Sequence, residues 1–286
     1  MSETTPASDL TVLVDGLCFA EAPRWHEGRL WFSDFFHCKV FSVDAQGDLR
    51  TEFEVPESPS GLGWRPDGQL LVVSMLDRRL MRWDGVHLQE VADLSVHVRG
   101  NCNDLVVDAQ GRAYVGNFGF DLYAKEEPRP TRLMRVDPDG SVYTAAEGVT
   151  FPNGMAITPD GRSLVVAETH AQRISAFDVA ADGSLSNRRL WADLPGVYPD
   201  GLCLDAENAV WVADARGRQV LRVADGGKVL QTVRSGDLHS YACMLGGDDG
   251  RTLHVCTAPG IGPGHGAKRQ GRIETIRVDV PHAGRP

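Results

Sequence analysis

Basic residues are in short supply: 29 Lys and Arg stand against 39 Asp and Glu, a formal charge of −10 over 286 residues. A surface built to grip phosphate backbones needs clustered Lys and Arg, so nucleic acid is not an expected partner. Long apolar runs are missing too. No stretch reaches the roughly 18 to 20 apolar residues that cross a bilayer, and the polar start Met1 to Asp9 lacks a signal-peptide core. No membrane partner and a cytoplasmic location are therefore expected. The six cysteines, Cys18, Cys38, Cys102, Cys203, Cys243 and Cys256, show no Cys-x-x-Cys spacing. Cys203 and Cys243 fall inside apolar strand runs, and the set reads as buried reduced thiols. The nine histidines have no zinc-like spacing, and Gly-x-Ser-x-Gly, phosphate-loop and dinucleotide fingerprints are absent. Histidine-zinc, serine-hydrolase, kinase and Rossmann readings thus lack support.

What is present is repetition. Asn103 to Gly111, Asn153 to Gly161 and Asp200 to Asn208 each run from a polar opener through an apolar strand to an Asp-x-Gly-type turn, always eight residues on. Ser60 to Gly68 keeps the same spacing, Tyr241 to Gly250 is one residue longer, and Glu21 to Gly28 is one shorter. Openers at 21, 60, 103, 153, 200 and 241 are separated by 39, 43, 50, 47 and 41 residues. A period of about 40 to 50 residues with several short strands per unit predicts an all-β fold, a six-bladed β-propeller of four-stranded blades. In the fourth unit the strands are read at 154–158, 163–168, 173–179 and near 188–192, separated by turn residues such as Pro159-Asp160-Gly161. Asn208 replaces the turn glycine and tolerates the same left-handed backbone.

One domain is expected over residues 10–281, with a flexible start at 1–9 and a tail at 282–286. Leu10 to Val14 alternates like a strand but has no blade of its own, and is expected to complete the last blade, Tyr241 to Val280, closing the ring. No long helix is expected. The irregular segments 118–131 and 258–272 are read either as loops over one mouth or as surface loops that tolerate length.

In such a ring the first strand of each blade is innermost, so equivalent openers face a common axis. Glu21 and Asp200 bring two carboxylates and Asn103 and Asn153 two amide oxygens, a hard donor set. It suits a divalent cation, Ca2+ before Mg2+ or Mn2+, because Ca2+ accepts neutral carbonyl ligands and variable geometry. Ser60 and Tyr241 line the tunnel without ligating. Asp104 is expected to point to the other face of its strand and reads as structural or as a partner that supports a ligand from behind. Among the histidines His239, two residues before an opener, is the expected pocket residue, whereas Glu168 and His170 are read as surface or turn residues.

Glu21-Ala-Pro-Arg-Trp25, Asn103-Asp104 with Asp108-Ala-Gln-Gly-Arg112, Phe151-Pro-Asn-Gly-Met155, Tyr198-Pro-Asp-Gly201 and Ala242-Cys-Met-Leu-Gly-Gly247 occur in the order that marks a known family. The chain resembles the gluconolactonase, regucalcin and senescence-marker-protein family of six-bladed propellers. That resemblance implies a divalent ion, Ca2+ foremost with Mg2+, Mn2+, Zn2+ or Fe2+ as alternatives, held by Glu21, Asn153 and Asp200. It makes Asn103 a further ligand or substrate contact and implies hydrolysis of a small-molecule lactone. Related diisopropylfluorophosphatase and paraoxonase propellers keep ester or phosphotriester cleavage open. Sugar-lactone members tend to carry an arginine where this chain has Asn101, and Gly116 to Phe120 also departs from their pattern, which points to a more apolar lactone. The expected chemistry has the lactone carbonyl polarised by the cation and Asp200 as general base. Asn101, Asn103, Phe118, Phe120, Tyr241 and His239 are expected to shape the substrate pocket. A non-catalytic propeller pinned by its ion is the reading from another class. A monomer or weak homo-oligomer is expected.

Overall fold

The computed structural model describes residues 8–284, apart from the side chains of Pro263 and His265. Six four-stranded antiparallel sheets form the ring, each ordered from an innermost to an outermost strand. The fourth blade has strands Pro152–Ile157, Ser163–Glu168, Arg173–Val179 and Leu185–Asp193. Its first strand is buried at every residue because neighbouring blades cover both faces, while most of the outermost strand is exposed. The helical segments are the short turns Thr169–Ala171 and Pro263–Gly266.

The turns form as their chemistry requires. Gly111 and Gly161 take φ of 80° and 72°, and Asn208 supplies the same conformation at 58°. Beneath that turn one oxygen of Asp205 accepts from the N–H groups of Glu207 and Ala209 at 2.8 and 3.0 Å.

Closure uses the strand Thr11–Leu17, which pairs antiparallel with Gly271–Arg277 in a blade otherwise built from His239–Gly246 and Thr252–Ala258. It extends three residues beyond the expected Val14. Pairing also continues outside the expected domain limits. Asp9 donates its N–H to the Arg234 carbonyl at 2.9 Å and accepts from the Arg234 N–H at 2.8 Å. His282 bridges to Asp205. Residues 1–7 and 285–286, within the ends expected to be flexible, lie outside the described residues.

Apolar side chains fill the wedges between blades in separate clusters, with Leu71, Leu105 and Val115 in one and Val165, Leu202 and Val212 in another. Near the axis the inner strands approach too closely for side chains. A Cβ on Gly154 would stand 2.5 Å from the Asp200 carbonyl oxygen and the Leu202 nitrogen, and one on Gly61 2.7 Å from the Asp104 carbonyl carbon. Backbone cannot swing aside as a side chain does. Gly61→Ala is therefore expected to cost about 1–3 kcal/mol, read as a lower urea midpoint. An unchanged midpoint would show that the inner strands are not packed this tightly.

Candidate active site at the tunnel mouth

Every innermost strand slips register with its second strand at the opener. The shifts lie at Glu21/Arg24, Pro59/Leu62, Cys102/Leu105, Pro152/Met155, Pro199/Leu202 and Ser240/Ala242. Such bulges break the alternation of side chains and re-aim them. Glu21, Asn103, Asn153, Asp200 and Tyr241, all buried, line one cavity of about 110 Å3. Ser60, the remaining opener, is buried outside that lining, and its carbonyl accepts from the Ser33 hydroxyl at 2.6 Å.

Local backbone strain helps to aim Glu21. Ala22 is held at φ 48° and donates its N–H to Glu21 Oε2 at 2.7 Å, a conformation that costs about 1–3 kcal/mol. Asn153 donates from Nδ2 to Thr169 Oγ1 at 3.1 Å, and the Thr169 hydroxyl donates onward to the Pro199 carbonyl at 2.8 Å. The fourth and fifth blades are thereby tied beside the cavity.

The electrostatics are unbalanced. Asp104 is buried against the Arg24 guanidinium at 2.7 Å, and Arg24 also donates to the Leu105 carbonyl at 2.7 Å. Glu21 and Asp200 have no ion pair of their own among the described residues. Burial, then the charges of Asp200 and Asp104, push the Glu21 carboxyl well above the usual carboxylate range. Burial and then Asp104 do the same to Asp200, against a hydrogen bond from Asn153. The Tyr241 hydroxyl is pushed up by burial and by both carboxylates. Asp200 Oδ1 and Asn103 Nδ2 are buried without a hydrogen-bond partner among the described residues. A half-turn of the Asn103 amide puts its oxygen in the same place. Two carboxylates and two amide oxygens around unmet polar atoms fit a hard divalent cation.

Aromatic rings wall the rest. Phe19, Phe35, Phe118, Phe151 and Tyr198 line the cavity, with Leu122 and Ile261 from the two long loops. Phe118 stacks on Phe151 at 4.5 Å. Arg216 lies 4.1 Å over the Tyr198 ring at the rim. His170 also lines the cavity, and burial, then Arg216, hold its imidazole below the ordinary value.

Several expectations are revised. Asn101 and Phe120 line a neighbouring hollow with Arg78, Arg99 and Glu126, and Phe120 is buried behind Phe151 at 5.7 Å. His239 is half-buried outside the cavity lining, with Nδ1 3.2 Å from the Gly217 carbonyl. The pocket histidine is His170, carried to the mouth by the Thr169–Ala171 turn that follows an inner hairpin. Glu168 is fully buried rather than a surface residue, accepting from Arg173, Arg188 and Ser175. The cysteines are all free, and Cys38 is the one that is only partly buried.

A histidine does join a cluster that spacing did not reveal. Ligand atoms of Cys18, Asp34 and His37 lie within 4.8 Å of one another. Asp34 there already accepts from the N–H groups of Cys18 and Phe19 at 2.8 and 3.1 Å and faces His37 Nδ1 at 2.8 Å. The carboxylate is fully used as a clamp there, whereas Asp200 Oδ1 in the tunnel set has no partner among the described residues.

A family model described as the SMP-30/Gluconolactonase/LRE-like region matches residues 19–259. Pentonolactonase XacC of Haloferax volcanii is 28% identical, covering 97% of this chain and 96% of its own. Regucalcin of Xenopus laevis is 28% identical over 83% of this chain and 82% of its own. The 6-deoxy-6-sulfogluconolactonase of Pseudomonas putida is 26% identical over the same shares. Among solved structures, a calcium-binding protein, regucalcin, from Agrobacterium tumefaciens superposes with a TM-score of 0.82 at 20% identity, covering 99% of this chain and 98% of that one.

The raised carboxylates carry a pH signature. A group whose folded pKa is raised binds its proton more tightly when folded, so its charge erodes stability as pH climbs above the unfolded values of 3.8 and 4.5. In chelator, Asp200→Asn is expected to match wild type near about pH 4 and to become increasingly the more stable chain toward about pH 8. Urea midpoints of both chains across that range test it. A stability difference independent of pH would mean that Asp200 is not held under charge stress.

Proposed function

The chain belongs to the SMP-30/Gluconolactonase/LRE-like family, and from that premise we propose that it is a lactone hydrolase working at the tunnel-mouth cavity. One observation carries this reading: three buried acids meet near the axis, Glu21, Asp104 and Asp200, and one guanidinium, Arg24, answers them. The deficit of two positive charges matches one divalent cation. Glu21, Asp200 and the amide oxygens of Asn103 and Asn153 would hold it, and Ca2+ suits a set half made of neutral carbonyls. Mg2+, Mn2+, Zn2+ and Fe2+ are the alternatives for the test. The lactone-opening names of the haloarchaeal and pseudomonad relatives support the reaction class.

When bound, the cation supplies Lewis-acid polarisation of the lactone carbonyl. Asp200 takes the proton. A carboxylate that lines the cavity beside the cation can both orient the attacking water and accept its proton. Water attacks the carbonyl carbon as Asp200 removes a proton, the ring C–O bond breaks, and that proton passes to the departing ring oxygen. The free hydroxy acid leaves. Tyr241, held neutral by its surroundings, keeps its O–H available as a donor beside the two carboxylates.

The rings of Phe19, Phe35, Phe118 and Phe151 offer contact area and few hydrogen bonds to a sugar, which favours a lactone with an aliphatic or aromatic portion. The same walls favour an uncharged ester as the second substrate class. A soluble enzyme acting as a monomer or weak homo-oligomer is part of the proposal.

Treatment with chelator is expected to abolish lactone hydrolysis, and added Ca2+ or another divalent cation to restore it. Loss of melting temperature with no hydrolysis in either state would turn the cation into a mere pin for a binding propeller. Asp200→Asn is expected to fold and to lose about 10²–10⁴-fold in kcat; near-wild-type turnover would remove the base assignment. Across a panel of aldonolactones and alkyl or aryl lactones, kcat/KM is expected to favour the apolar members. Phe118→Ala should narrow that preference by raising KM.

A further inference from the structure

The strands that open at Glu21, Ser60 and Asn103 end on the far side of the ring at His26, Trp64 and Val107. Five residues of strand separate Ser60 from Arg65, about 16 Å at the usual rise. A second cavity, of about 330 Å3, lies among those far ends, lined by Trp25, His26, Trp64, Arg65 and Asp108 among others.

Its charged groups differ in one respect. Arg24 faces it but is spent on Asp104 and the Leu105 carbonyl at 2.7 Å each. The Asp108 carboxylate is spent on the Arg112 guanidinium at 2.5 Å and on the N–H groups of Gln110 and Arg112 at 2.9 Å. Arg65 is 8% exposed, and its Nε and Nη2 are buried without any acceptor among the described residues. The described ion pairs include none to Arg65. A buried guanidinium left unpaired is costly, because the water it gave up is not replaced. Burial above all pulls Arg65 below the usual guanidinium value; nearby Asp67 opposes this, and Arg82 adds to it. The walls are flat and apolar: His26 stacks on Trp64 at 4.0 Å and 13°, and Trp31 meets Trp64 edge-on at 5.4 Å.

We propose that this opposite mouth is an oxyanion-binding site, with Arg65 as the anchor and the Trp25 and Trp64 walls taking the body of a small organic carboxylate or phosphate monoester. A guanidinium presents paired N–H groups in a fork that a planar carboxylate or a phosphate fits, which a spherical halide cannot use in the same way. The site is independent of the lactone chemistry, because the strand ends that build it point away from the tunnel-mouth cavity.

The test is calorimetry and tryptophan fluorescence on the full chain, titrated separately with inorganic phosphate and with benzoate, at constant ionic strength in chloride. Saturable binding is expected, with a rise in melting temperature that chloride does not produce. Arg65→Leu should weaken binding about tenfold or more, Arg65→Gln likewise should its partner variant fail to fold, and Arg216→Leu should leave binding intact. Phosphate binding alone or benzoate binding alone assigns the headgroup. Failure of both ligands to saturate by about 10 mM in the wild-type chain, equal binding by the Arg65 variants, or loss of binding in Arg216→Leu would overturn the site.

Discussion

Two buried negative charges without a counter-charge, on Glu21 and Asp200, set the terms for the inner ring. Each is pushed toward its neutral form by burial and by neighbouring acids, so the folded chain carries unfavourable electrostatics at its centre. Arg24 relieves part of it by engaging Asp104 at 2.7 Å, and removing one partner from such a buried pair typically costs about 3–5 kcal/mol. The strained Ala22 and the register slips serve the same end, since they turn the openers inward where a plain strand would alternate them away. A ring can sustain this stress because cohesion resides elsewhere, in the apolar wedges between blades and in the pairing of Thr11–Leu17 with Gly271–Arg277.

The architecture was legible because it is written in repetition. An opener, an apolar run and a turn at fixed spacing need no knowledge of contacts, and equivalent offsets become convergent positions once the sheet order is radial. Glu21, Asn103, Asn153 and Asp200 are legible in this way. Side chains reached through loops escaped, because no period governs them. His170 enters the cavity from a turn of three residues, and His239, although two positions from an opener, is turned onto the Gly217 carbonyl. By local pattern alone Glu168 is a strand-end surface acid. Its burial depends on Arg173, Ser175 and Arg188, which come from two different strands of the blade. The Cys18, Asp34 and His37 cluster likewise forms across a hairpin, at spacings that carry no metal signature.

Arg65 illustrates a different limit. In the sequence it is the residue before a Pro-Asp-Gly turn, a position where a charged side chain is ordinarily solvated. The turn at Gly111 in the neighbouring blade lies against it in the folded ring, with the Arg65 Cγ 3.8 Å from a Cβ built on Gly111. Its burial therefore comes from the neighbouring blade's turn, which no local pattern announces.

The two mouths follow from one property of the fold. An innermost strand runs along the axis and delivers its first residue to one opening and its last to the other, so each blade contributes once to both ends with the core of the wedge in between. The openers carry acids and amides, whereas the far ends of the first three blades carry His26, Arg65 and Asp108. Opposite charge deficits at opposite ends do not cancel across about 16 Å of buried strand, because each must be met within hydrogen-bonding reach. A cation at one mouth and an oxyanion at the other would each remove a local desolvation cost. Each would also stabilise the ring, by an amount that rises with the logarithm of its free concentration above its Kd, since both bind only where folded strands bring their ends together.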